Sequence, residues 1–123
     1  MREAWRKVRY LEIIAMDDQE FRTRADAALH DLYRRLATAS DEYEFEADFN
    51  AGALAIEFEK PPGKFVVSPN SPVRQIWVSA LSKSFKLDWD SVENAFVLTS
   101  SDQTLPELMA DVIGRHLGEE VSL

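Results

Sequence analysis

The 123-residue chain is 46% hydrophobic, enough for one core of common domain size, and carries a formal net charge of −8. That acidity argues against nucleic acid and toward a cation or a basic protein surface as partner. The absence of cysteine excludes disulfides, thiolate metal sites and a cysteine nucleophile in this chain, and no apolar run approaches the ~20 residues that span a membrane.

Residues 1–15 (MREAWRKVRYLEIIA) hold four basic and two acidic side chains, so the chain from Met16 onward carries −10. No Gly/Pro-rich linker follows them. They read as an N-terminal extension, helical or untranslated sequence upstream of a start at Met16, with residues 16–123 as the domain proper.

A helix is expected to begin at Asp17, whose carboxylate caps it with Glu20 three residues on. Phe21, Ala25, Ala28, Leu29, Leu32 and Leu36 recur at helical spacing and form its buried stripe. Asp18–Arg22, Glu20–Arg24 and Asp31–Arg35 form i,i+4 pairs with the acid first, the better orientation.

Residues 41–59 (DEYEFEADFNAGALAIEFE) read as a hairpin. Tyr43, Phe45, Ala47 and Phe49 alternate with Glu44, Glu46 and Asp48. Beyond a turn at Ala51–Gly52, Leu54, Ile56 and Phe58 alternate with Ala55, Glu57 and Glu59. A two-residue loop places Glu46 opposite Glu57 and Glu44 opposite Glu59, each like-charge pair costing roughly 0.2–1 kcal/mol.

PPGK turns the chain into a third strand, Phe65–Ser68, and PNSP turns it into a fourth, Arg74–Ala80. Residues 85–89 and 95–99 supply two more strands, and Thr104, Pro106 and Glu107 start a final helix whose stripe runs from Leu105 to Leu117 before Gly118 ends it. The expected architecture is α+β: a two-layer sandwich, N- and C-terminal helices on one face of a five- to six-stranded antiparallel sheet, the other face in water. Glu44, Glu46, Asp48, Glu57, Gln75 and Trp77 then share the wet face. A tryptophan there fits a docking surface, or a side chain lying on the stem of Arg74 or Lys86. The side on which Trp89 falls stays open.

The order of elements, with Pro72, Gln75 and Trp77 in the pattern PxxQxW, the dipeptide Asp88–Trp89 and the ending GEEVSL, resembles the frataxin family and its bacterial, CyaY-type members. The resemblance covers Met16 to Leu123. It implies an α-β sandwich that binds iron weakly through surface carboxylates and docks on the cysteine desulfurase and scaffold protein of iron–sulfur cluster assembly. It further implies a cytoplasmic protein, expected as a monomer that iron can drive to oligomerise. By position, the metal-binding acids carry over as Asp41, Glu42, Glu44, Glu46 and Asp48 on an acidic strand, with Glu59 on its neighbour, and the partner-binding residues as Asn70, Gln75 and Trp77. The chain departs from the family in lacking acids from Leu32 to Ser40, in Phe96 where a third tryptophan is common, and in Ser68–Pro69 before the PxxQxW stretch.

Two function classes follow: an iron-binding assembly factor, and an acidic protein-interaction module that regulates the desulfurase without iron. Catalysis is not expected. An open sheet face offers no cleft to perturb a carboxylate, and no phosphate loop or nucleophile motif is present. His30 and His116 read as surface or boundary residues rather than ligands.

Overall fold

The Asp17 carboxylate accepts a hydrogen bond from the Glu20 backbone N–H at 2.7 Å and opens helix α1, Asp18–Tyr43. This is the start expected from the sequence. The computed structural model describes residues 16–123, so the N-terminal extension lies outside the described residues. Seven strands follow: β1 (Phe45–Asn50), β2 (Ala53–Glu59), β3 (Pro62–Asn70), β4 (Gln75–Ala80), β5 (Lys83–Asp90), β6 (Ala95–Leu98) and β7 (Gln103–Thr104). Helix α2, Leu105–Leu117, closes the fold. The strands form one antiparallel sheet in sequence order, a meander in which each pairs with its neighbours along the chain.

Both helices cover one face of this sheet. Phe21, Leu29, Leu32 and Leu36 from α1 and Leu108, Met109, Val112 and Ile113 from α2 are buried with the inward side chains of the strands in one hydrophobic cluster. Burying a side chain of this size stabilises the fold by about 1.5–3 kcal/mol, so the cluster holds the two layers together. Trp89 belongs to it: its ring meets Phe96 edge-on at 5.2 Å, and the Arg24 guanidinium lies 4.3 Å above it. The Trp89 side chain therefore faces the helices, on the same parity as Leu87.

The structure corrects several boundaries. Helix α1 runs through Asp41, Glu42 and Tyr43, and Glu44 is its C-cap in the left-handed region (φ 54°), donating its N–H to Ser40. These residues are not strand. Tyr43 satisfies the alternation of a strand, but it also continues the series Leu36, Ala39, Tyr43 at helical spacing, and no breaker interrupts LATASDEY. Consequently Glu44 stands outside the ladder and does not pair with Glu59, whereas Glu46 opposes Glu57 as expected. The β1–β2 turn is the expected two-residue loop, with Ala51 and Gly52 both at positive φ. Strand β3 begins at Pro62 and runs through Pro69 to Asn70. Arg74 is a left-handed residue ending a short 3-10 turn, Ser71–Val73, rather than the start of β4. The seventh strand, Gln103–Thr104, is only two residues long and carries no alternation by which to recognise it. Thr104 and Glu107 form the expected capping box of α2, and Gly118 caps its end.

Candidate functional site

The exposed ends of α1, β1 and β2 concentrate negative charge. Asp41 and Glu42 lie in the last turn of α1, where the helix dipole is negative and no basic residue stands to offset it. Each acid in such a place costs about 0.3–1 kcal/mol. Glu44 follows at the cap, then Glu46 and Asp48 point to solvent from the edge strand β1. An open depression of about 460 Å³ is lined by Glu44, Glu46, Glu57 and Glu59 with Phe45, Phe58 and Lys60. Four of these acids thus come together, Glu57 among them through its register with Glu46. Asp48 sits further along β1, opposite Ala55. Lys64, the cross-strand neighbour of Glu57 on β3, approaches it to 4.0 Å, so Glu46 is the member of the row without that cation beside it.

Carboxylate oxygen is a donor that iron accepts. Among the described residues, however, no three His, Cys, Asp or Glu side chains are grouped so as to hold a metal ion. The arrangement is one of local field and paired carboxylates rather than a preformed cage, in keeping with strand side chains of one face spaced ~7 Å apart. His116 stands away from these acids in role. Its Nε2 meets the Pro61 carbonyl oxygen at 2.7 Å, and its ring packs on Phe58 at 4.3 Å. His30 rests on Phe49 at 5.0 Å, on the outside of α1.

The outward face of the middle strands has a different character. Register places Asn70 opposite Gln75, Gln75 opposite Asp88, Ser68 opposite Trp77, and Trp77 opposite Lys86. Asn70, Gln75 and Trp77, the three partner-binding candidates, therefore share one patch. Trp77 is half-buried there. Its indole N–H donates to Gln75 Oε1 at 2.9 Å, and Lys86 Nζ lies 4.8 Å from its ring centroid. Lying against Lys86 is one of the two expectations for this ring. The other, burial by a partner, requires accessible surface, and the half-buried Trp77 retains some. Asp88 was not among the candidates. Its signal was available, because in FKLDW the alternation that sends Leu87 and Trp89 inward sends Lys86 and Asp88 outward.

The chain has clear relatives. Residues 14–119 match the Frataxin-like domain family. A protein of Azotobacter vinelandii described as iron–sulfur cluster assembly protein CyaY is 28% identical over 95 residues, covering 76% of this chain and 86% of that one. The protein so described from Pseudomonas syringae pv. tomato is 28% identical over 102 residues, covering 78% and 92%. The solved structure of a frataxin from Psychromonas ingrahamii superposes with a TM-score of 0.68 at 23% identity, covering 87% of this chain and 97% of that one, and shares the fold.

Proposed function

The chain belongs to the frataxin-like family, and from that premise we propose that it serves iron–sulfur cluster assembly by docking on the cysteine desulfurase and scaffold complex and binding iron weakly at its acidic edge. The observation that carries the docking half is Trp77, a large half-buried aromatic held by Gln75 on the outward sheet face, with Ser68 and Lys86 as its cross-strand neighbours. Aromatic anchors of this kind are where interfaces concentrate their energy. The acids of the α1 end, β1 and β2 support the iron half: Asp41, Glu42, Glu44, Glu46, Asp48 and Glu59, with Glu57 added, raise the local concentration of a cation. Iron is cargo in this reading, held by pairs of carboxylates with water completing its shell. The chain itself performs no reaction; it regulates the desulfurase or supplies iron, as a cytoplasmic monomer in the free state. Among the described residues no helix is long and apolar enough to cross a membrane.

A second reading is an acidic interaction module that regulates the desulfurase without iron. It is favoured by the lack of any converging group of three ligands among the described residues. One experiment separates the two. Iron(II) is titrated into the labelled protein by NMR, with and without the desulfurase. The first reading expects amide shifts over residues 41–59 on adding iron, and over Asn70–Ala80 on adding the desulfurase. Unchanged spectra at saturating iron, with the desulfurase shifts retained, establish the second.

A further inference from the structure

Gln75 is the link between two groups that accept only one hydrogen-bond polarity. The Asp88 carboxylate is acceptor-only, and the Trp77 indole is donor-only. Gln75 Nε2 donates to Asp88 Oδ1 at 3.0 Å, and Gln75 Oε1 accepts from Trp77 Nε1 at 2.9 Å. A reversed amide would set Oε1 against a carboxylate and the NH2 group against an N–H, losing both bonds. Thr99, just beyond β6, donates its hydroxyl to Asp88 Oδ2 at 3.2 Å and holds the other carboxylate oxygen. The chain Thr99–Asp88–Gln75–Trp77 therefore links β4, β5 and the residue after β6 on the outer face, with donation converging on the Asp88 carboxylate from both sides.

We infer that Asp88 is a positioning residue, which through Gln75 sets the orientation of the Trp77 indole on the outer sheet face before any partner arrives. This deepens the docking function proposed above and rests on it. A side chain ordered in advance loses less freedom on association, so the network contributes to affinity without Asp88 touching the partner. Lys86 grips the ring face while Gln75 holds its edge, so removal of Asp88 releases the edge alone.

The test uses the free, full-length protein first. In Asp88→Ala, the Trp77 indole N–H signal, identified by its loss in Trp77→Phe, should move toward the position of a solvated indole and exchange with water about fivefold faster or more. Asp88→Asn retains an acceptor for Gln75 Nε2 and should restore both values. The buried Trp89 Nε1, which has no hydrogen-bond partner, serves as the internal reference and should stay where it is. Binding to the assembly complex is then measured as a double-mutant cycle. Asp88→Ala should weaken binding about two- to tenfold with Trp77 present and leave it unchanged in the Trp77→Phe background. An indole signal indifferent to Asp88→Ala overturns the inference, as does an equal loss of binding in both backgrounds, which would make Asp88 a direct contact. If the indole loosens and is rescued as described but Trp77→Ala binds the complex like the parent protein, the positioning stands and the docking reading fails.

Discussion

Replacing Trp77 by alanine separates the energy that this ring gives to folding from the energy it offers a partner. Two contacts are lost within the protein: the hydrogen bond to Gln75 Oε1 and the approach of Lys86 Nζ to the ring. The bond is worth about 1 kcal/mol and an exposed cation–π contact about 0.5–1 kcal/mol. The ring stands outside the hydrophobic cluster between helices and sheet, so no cavity opens in the core. The expected loss of stability is thus about 1–2 kcal/mol, read by urea unfolding at unchanged m-value. An aromatic anchor at the centre of an interface typically contributes more than ~2 kcal/mol to binding, so affinity for the desulfurase–scaffold complex should fall at least ~10-fold by calorimetry. A loss of more than ~3 kcal/mol in stability with binding intact would refute the argument, and the docking face would lie elsewhere.

Further outcomes follow from other parts of the fold. Glu46→Gln removes the member of the Glu46–Glu57 pair that lacks Lys64, and should stabilise the protein by about 0.4 kcal/mol near physiological salt, shrinking toward zero at ~1 M; a gain that grows with salt would contradict this origin. A Cβ on Gly63 would stand 2.5 Å from His116 Cε1, so Gly63→Ala should cost about 1–3 kcal/mol in denaturant unfolding. That penalty should largely vanish in a His116→Ala background, and its persistence would place the strain elsewhere. Arg34 is an exposed side chain 3.6 Å from Asp31, whereas Arg35 also donates to the Leu123 carbonyl. Arg34→Glu should therefore speed association with a basic desulfurase surface and steepen its salt dependence, measured by stopped flow, and slower association would mean that Arg34 itself contacts the partner.

Local chemistry made much of this fold legible. The Asp17 cap, the Thr104–Glu107 box and the Ala51–Gly52 turn are each specified by residues within four positions, and all three stand where the sequence places them. The turn also set the β1–β2 register, so the opposition of Glu46 and Glu57 could be read directly. What failed was the choice between periods where both fitted. Tyr43 suits a strand and a helix alike, and the helix continued because nothing in LATASDEY stops it. Sharing of a face by Gln75 and Trp77 followed from alternation, but the partners of that face did not. Asp88 and Thr99 reach it through the register of β4, β5 and β6, set by turns whose positive-φ residues, Leu81, Ser82 and Asn94, include two that carry no glycine-like signal of such a conformation.

The meander has a metric consequence. Glu46 lies on β1 and Trp77 on β4, three inter-strand steps apart, or about 14 Å across the sheet. The Glu46 row reaches β3 at Lys64, and the Trp77 row reaches the same strand at Ser68, four residues further on and about 13 Å along it. The acidic edge and the aromatic patch are therefore separated by about 20 Å at the backbone, a distance held by continuous ladders rather than by a loop. The sheet acts as a ruler: a partner that meets both marks at once must present its own basic and aromatic-accepting regions at that interval. A partner surface shorter than the interval engages one mark and leaves the other to solvent, free for a cation or for a second protein.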